Sequence, residues 1–133
     1  VQRVMGKTKA SDLDQSIDEI NHFEKMLTNE GALIIKFWFH LSKDVQRKRL
    51  KSLEKDPKTR WRVTDLDWER FKLYDKFRKV SERAIRRTDS GPAPWHVIEA
   101  TDRRYREFAV GTILRDAIQR KLEEAAQKAA AAR

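Results

Sequence analysis

The stretch Ala32-Leu-Ile-Ile-Lys-Phe-Trp-Phe-His-Leu41 decides the fold. It is almost unbroken apolar sequence, short for a helix of its own and rich in Ile and aromatic residues. Such a run reads as a strand buried on both faces, hence as a parallel strand covered by helices. Trp95–Ala100 repeats this character as a second short buried strand. Helical patterns surround the two. Upstream, Ser11 with Asp14 has capping-box spacing, and Leu13, Ile17, Ile20, Phe23 and Leu27 form an apolar stripe that Asn29 and Gly31 end. Downstream, Ser42 is the expected N-cap of a helix through about Glu54, with Val45, Leu50 and Leu53 as a thin stripe. Pro57 breaks that helix and restrains Asp56 to extended geometry. Thr64 with Asp67 repeats the capping-box spacing ahead of one long helix, striped by Trp68, Phe71, Tyr74, Phe77, Val80 and Ala84, that ends near Thr88. Thr101 or Asp102 then caps a last helix with Val110, Ile113, Leu114, Ala117, Ile118 and Leu122 on its apolar face.

The order helix, strand, helix, loop, helix, strand, helix specifies an α/β protein with a parallel layer. Parallel strands are expected near 32–41 and 95–100, in a single partial domain over 1–133. The Ala-rich tail, about 123–133, prolongs the last helix, buries little and is expected to fray. Two strands are too few to cover both faces of the 32–41 run, and such an edge left open would aggregate. Further strands are therefore expected outside this sequence or in a partner.

Composition narrows the function. Of 133 residues, 30 are Lys or Arg and 21 are Asp or Glu, a formal charge of +9. A mean hydropathy of -0.82, with no apolar run near the ~20 residues that span a bilayer, argues against a membrane protein. No apolar stretch near Val1 reads as a secretory signal, and with no cysteine the chain has neither a disulfide scaffold nor a thiolate site. The cytoplasm is the expected location. The excess charge is concentrated: residues 36–62 hold ten basic and three acidic groups. That window attracts a polyanion, whether nucleic acid, lipid surface, nucleotide or a phosphate chain.

Met5-Gly-Lys-Thr8 ends like a phosphate-binding loop, but it has neither the earlier glycine nor the preceding buried strand, so it reads as a chance tripeptide. His22, His40 and His96 fall on different elements without i, i+4 pairing, which gives no support to a metal site. His40 stands apart because it closes a parallel strand at its carboxyl end, where α/β proteins bind ligands; the alternative is a histidine satisfied by neighbouring backbone. On the helix after it, the basic residues from Lys43 read mainly as a solvated face. The loop Lys55–Arg62 reads differently. Arg60 and Arg62 put guanidinium forks, which grip phosphate oxygens bidentately, on a segment able to close over them. Trp61 and Trp68 either pack in the aromatic stripe or stack on a base.

The strings Asp18-Glu-Ile-Asn-x-Phe-Glu24, Phe39-His-Leu-Ser-Lys43 with Gln46 and Arg49, Asp56-Pro-x-x-Arg-Trp-Arg62, Ala93-Pro-Trp95 and Ala100-Thr-Asp-x-x-Tyr-Arg106 resemble, in order and spacing, the second family of polyphosphate kinases. The likeness runs from about Ile17 to Leu122 and looks nearest to fused, two-module members that phosphorylate AMP. It implies a partial P-loop, thymidylate-kinase-like, three-layer α/β/α fold. It also implies transfer of phosphate between inorganic polyphosphate and AMP or another nucleotide, with Mg2+. The resemblance makes residues about 55–88 a helical lid, with Lys55, Lys58, Arg60 and Arg62 on the phosphate chain and His40, Lys43 and Arg49 as possible strand-end contacts. Thr59 departs from the family, which often has Lys there. The family's glycine-rich loop and acidic Asp-Arg motif, which hold phosphate and metal, have no match here; this chain then supplies no catalytic residue and no metal ligand and reads as the C-terminal half of a module, inactive alone. Its partners would be polyphosphate, nucleotide, the other half of the module or a partner chain, and further copies in a homo-oligomer. A basic nucleic-acid-binding helical module and a catalytically silent oligomerisation module are the competing readings. The first predicts binding that falls steeply with salt and survives without magnesium.

Overall fold

The computed structural model describes residues 1–132. Its elements run α1 (Ala10–Asn29), β1 (Lys36–His40), α2 (Lys43–Lys55), a 3-10 turn (Arg60–Arg62), α3 (Asp65–Lys72), α4 (Tyr74–Thr88), β2 (Trp95–Glu99) and α5 (Arg103–Ala131). They gather into two compact units: Val1–Glu19 with Leu41–Thr88, and Ile20–His40 with the chain from Asp89 onward.

The second unit holds the sheet. β1 and β2 pair in parallel, from Lys36 opposite Trp95 to His40 opposite Glu99, as the apolar runs imply. The strands are shorter than those runs. Pro92 and Pro94 have no N–H to give, so the ladder opens only where the Lys36 N–H meets the Pro94 carbonyl at 3.4 Å. It closes where the Ala100 N–H donates to the His40 carbonyl at 2.9 Å. Burial on both faces is not reached: Phe39 is 51% exposed and Val97 61%, and each strand has the other as its only strand partner among the described residues. Ala93, Ile98, Ala100 and Ala117 form the buried part of this unit. Lys36 pairs with Glu24 of α1 at 2.6 Å, with both side chains largely shielded, and its ammonium lies 5.3 Å from the centre of the Trp95 ring.

Helix ends follow from local chemistry. α1 begins one residue before Ser11, because Asp12 rather than Asp14 reaches back, its carboxylate accepting the Lys9 N–H at 2.7 Å. At its other end Gly31 takes φ +91°, the Gly31 N–H donates to the Thr28 carbonyl and the Ala32 N–H to the Leu27 carbonyl, a Schellman closure. Ser42 caps α2 by accepting the Val45 N–H, and Asp102, not Thr101, caps α5 by accepting the Tyr105 N–H at 2.7 Å. α5 then continues to Ala131, exposed from Leu122 on. Arg133, the last residue of the expected tail, lies outside the described residues.

The first unit is organised by α4. The single long helix expected over 64–88 is two, α3 and α4, interrupted at Leu73, whose N–H turns back to the Arg70 carbonyl at 3.0 Å. Asp14, freed from capping, accepts two hydrogen bonds from Arg83 Nη2 at 2.7 and 2.8 Å and one from Arg87, which also reaches Asp18. These charge-assisted bonds bind α4 to α1, beside the 1% exposed Ile17 and the buried Val4 and Thr88. Met5-Gly-Lys-Thr8 lies in turns ahead of α1, and Gly6 there takes φ +73°.

Gly31→Ala tests the Schellman closure. A Cβ at Gly31 meets no atom within 4 Å, so the penalty is conformational alone. Urea unfolding of the full-length protein should show a loss of about 1 kcal/mol, and an unchanged midpoint would contradict it.

Candidate functional site

Asp56, Pro57, Lys58 and Thr59 form a tight turn after α2. The Thr59 and Arg60 N–H groups both donate to the Asp56 carbonyl, at 3.0 and 2.9 Å, and the Lys58 N–H donates to the Asp56 carboxylate at 2.9 Å. Thr59 is the fastening point: its hydroxyl donates to the Leu53 carbonyl at 2.9 Å, satisfying an acceptor that the end of α2 leaves open. A lysine at this position could not make that short bond with a hydroxyl. The 3-10 turn continues from Thr59, with the Arg62 N–H donating to the Thr59 carbonyl at 2.9 Å. The other flank is fixed as the spacing predicts. Thr64 and Asp67 close a capping box, and both the N–H and the hydroxyl of Thr64 donate to Asp67, at 2.8 and 2.7 Å. Those bonds, with Arg70 adding to them, hold the Asp67 carboxyl below its ordinary pKa.

The backbone of the turn is thus tied down while its cations are not. Lys55, Lys58, Arg60 and Arg62 are all exposed, and among the described residues none has a side-chain hydrogen bond or ion pair. Some arginines outside the turn do find carboxylates: Arg83 and Arg87 on Asp14, Arg78 on Glu82, Arg103 on Glu107. Backbone order combined with unsatisfied positive charge prepares this turn for an external anion.

The strand-end residues differ among themselves. Lys43 pairs with Asp75 of α4 at 2.5 Å and lies 6.0 Å from the ring centre of Tyr74, whose hydroxyl donates to the Leu41 carbonyl at 2.7 Å. The Lys43 hydrogen bond pulls the Asp75 carboxyl below its ordinary pKa. Lys43 therefore holds α2 to α4. Arg49 is exposed on α2 without a partner among the described residues, and His40, half-buried, belongs to the sheet unit, where its carbonyl takes the last ladder bond. Glu99, opposite it at the end of β2, accepts from the Thr101 hydroxyl and N–H, which lower its pKa. Among the described residues no three His, Asp or Glu side chains stand close enough to hold a metal ion. Sequence reasoning missed the role of Asp14, which its capping-box spacing disguised.

A parallel pair of strands, joined by a crossover that carries helices and a cation-rich turn, defines an α/β protein. The model of the Polyphosphate kinase 2 family matches residues 1–126, and the chain belongs to that family. It is 50% identical over 117 residues to the polyphosphate:AMP phosphotransferase of Pseudomonas aeruginosa, a match covering 88% of this chain and 24% of that protein. It is 43% identical over 95 residues to the AMP/ADP-polyphosphate phosphotransferase of Meiothermus ruber, covering 71% and 36%. The crystal structure of polyphosphate kinase 2 from Arthrobacter aurescens TC1 superposes with a TM-score of 0.85 at 34% identity, over 90% of this chain and 42% of the other. The chain thus spans about a quarter of the length of the first relative and under half of the solved one. The fold is that of polyphosphate kinase 2 structures.

Thr64→Ala removes the larger of the bonds that depress Asp67. Carboxyl NMR titration should show the Asp67 pKa moving up toward the ordinary 3.8. Because the folded pKa is the lower one, the support this pair gives α3 is present above pH ~4 and lost as pH falls through the folded value. An Asp67 that titrates the same with and without the Thr64 hydroxyl would contradict the assignment.

Proposed function

We propose that this chain is the lid-bearing part of a polyphosphate-dependent nucleotide phosphotransferase, a polyphosphate kinase of type 2. In the transfer the terminal P–O–P link of polyphosphate breaks and the phosphoryl group forms a new bond to a phosphate oxygen of AMP or another nucleotide. The observation that carries the proposal is the gathering of four cations, unpaired among the described residues, on one turn whose backbone is fastened by Thr59. Phosphoryl transfer leaves little covalent work to the protein. Positioning, and neutralisation of charge on the phosphate oxygens, supply most of the catalysis. Arg60 and Arg62 suit that task because each can hold two oxygens at once, while Lys55 and Lys58 act as point charges along the chain. His40 and Arg49 are proposed as strand-end contacts, and Lys43 as the residue that holds α2 in place for them.

The rest of the chemistry is assigned to the rest of the protein. The P-loop, with its glycine-rich cradle, and the acidic motif are proposed to lie there, together with the ligands of magnesium; among the described residues no three His, Asp or Glu side chains cluster to hold that metal. When bound, magnesium would offset phosphate charge. The single module expected over 1–133, with residues 55–88 closing as its lid, remains part of the proposal, as does a cytoplasmic location. Exposed Phe39, Phe108, Ile118 and Leu122 support burial against the remaining half of the module or a further copy of the protein. No helix among the described residues is long and apolar enough to cross a membrane. The similarity to a polyphosphate:AMP phosphotransferase and to an AMP/ADP-polyphosphate phosphotransferase supports those substrates here.

The full-length protein should convert AMP to ADP with polyphosphate and magnesium, and absence of transfer would reject the proposal. In that protein Arg60→Ala should lower kcat about 100-fold. Arg115→Ala is the control, since Arg115 is exposed on α5 and occupied by Asp116 at 2.8 Å. Equal losses from the two variants would remove Arg60 from the lid role.

A further inference from the structure

Two tryptophans accompany the arginine motif, Trp61 inside it and Trp68 on α3, and the residue pattern alone treats them alike. The structure separates them. Trp68 is half-buried, sets its ring edge-on to Phe71 with centroids 5.8 Å apart, and donates its indole N–H to Glu54 at 3.3 Å. It packs. Trp61 is 76% exposed, against 74% for Phe108 and 56% for Tyr105, and its side-chain bond runs from the indole N–H to the Lys58 carbonyl at 3.0 Å. That tether takes the polar edge of the ring. Among the described residues neither an aromatic ring nor a cation lies over its faces.

An indole fixed by its edge, with open faces, stands between Arg60 and Arg62 in a turn whose backbone is fastened at Lys58, Thr59, Arg60 and Arg62. Linked phosphates have no π surface, so such a ring contributes nothing to holding them. A nucleotide has both parts: a base that stacks on an aromatic face and a phosphate that meets guanidinium forks. We infer that Trp61 is a specificity residue of the lid, stacking on the purine base of the acceptor nucleotide when the turn closes. The inference rests on the proposed phosphotransferase activity and deepens it, giving the lid a hold on the nucleotide as well as on the phosphate chain.

The test uses the full-length protein with AMP, polyphosphate and, as a competitor lacking a base, ribose 5-phosphate. Trp61→Leu should raise the KM for AMP about tenfold while the KM for polyphosphate and the inhibition constant of ribose 5-phosphate stay within about twofold. Trp61→Phe, which keeps a π face but loses the N–H tether, should fall between wild type and Trp61→Leu. Three results would overturn the stacking role: an unchanged KM for AMP, equal rises for AMP and polyphosphate, or a Phe variant as impaired as the Leu variant. If the wild-type protein transfers no phosphate, the proposed function itself falls; if it transfers phosphate and Trp61→Leu leaves the KM for AMP unchanged, only the stacking role does.

Discussion

Parallel pairing of β1 with β2 is the constraint from which the other features follow. Two parallel strands cannot be joined by a tight turn, so the chain must leave the end of one and travel back to the start of the other. Here that return path is residues 41–94, and it carries α2, the arginine turn, α3 and α4. Because the strands are in register from Lys36 with Trp95 to His40 with Glu99, both ends of the crossover are anchored. The turn at Asp56–Arg62 is therefore part of a tethered excursion, held at both ends, and not a free tail.

Within that excursion, order and charge are divided between backbone and side chains. Asp56 and Thr59 use carbonyl, carboxylate and hydroxyl groups to satisfy the backbone, which leaves the long cationic side chains uninvolved. Other cations are engaged: Asp14 collects Arg83 and Arg87, and Asp75 collects Lys43. A surface ion pair contributes little to stability, so leaving four cations unpaired costs the fold little. It leaves their full charge facing solvent, as the proposed lid role requires.

Much of this was legible in the residues. The apolar runs announced parallel strands, Thr64 with Asp67 and Ser42 announced helix starts, and Gly31 announced a helix end. Errors arose where several residues offered the same local signal or where the decision was tertiary. Ser11 and Asp14 had capping spacing, but Asp12 was two residues nearer the Lys9 N–H, and Asp14 was drawn to arginines some seventy positions away. Leu73 is neither glycine nor proline, so a break in an otherwise continuous stripe had no residue type to mark it. The strand lengths were overestimated because the apolar run around Ile34 continues past the point where Pro94 ends its partner's hydrogen bonding. At the site, the cationic turn was visible as composition. Its fastening by Thr59 and the different surroundings of Trp61 and Trp68 depend on side-chain geometry that spacing does not encode.

Amide hydrogen exchange on the full-length protein, with and without inorganic polyphosphate, tests the central claim most directly. Residues 56–63 should exchange more slowly when polyphosphate is present, while the exposed end of α5 should not change. Exchange at 56–63 that is indifferent to polyphosphate, in a protein that binds it, would place the phosphate chain elsewhere and contradict the account.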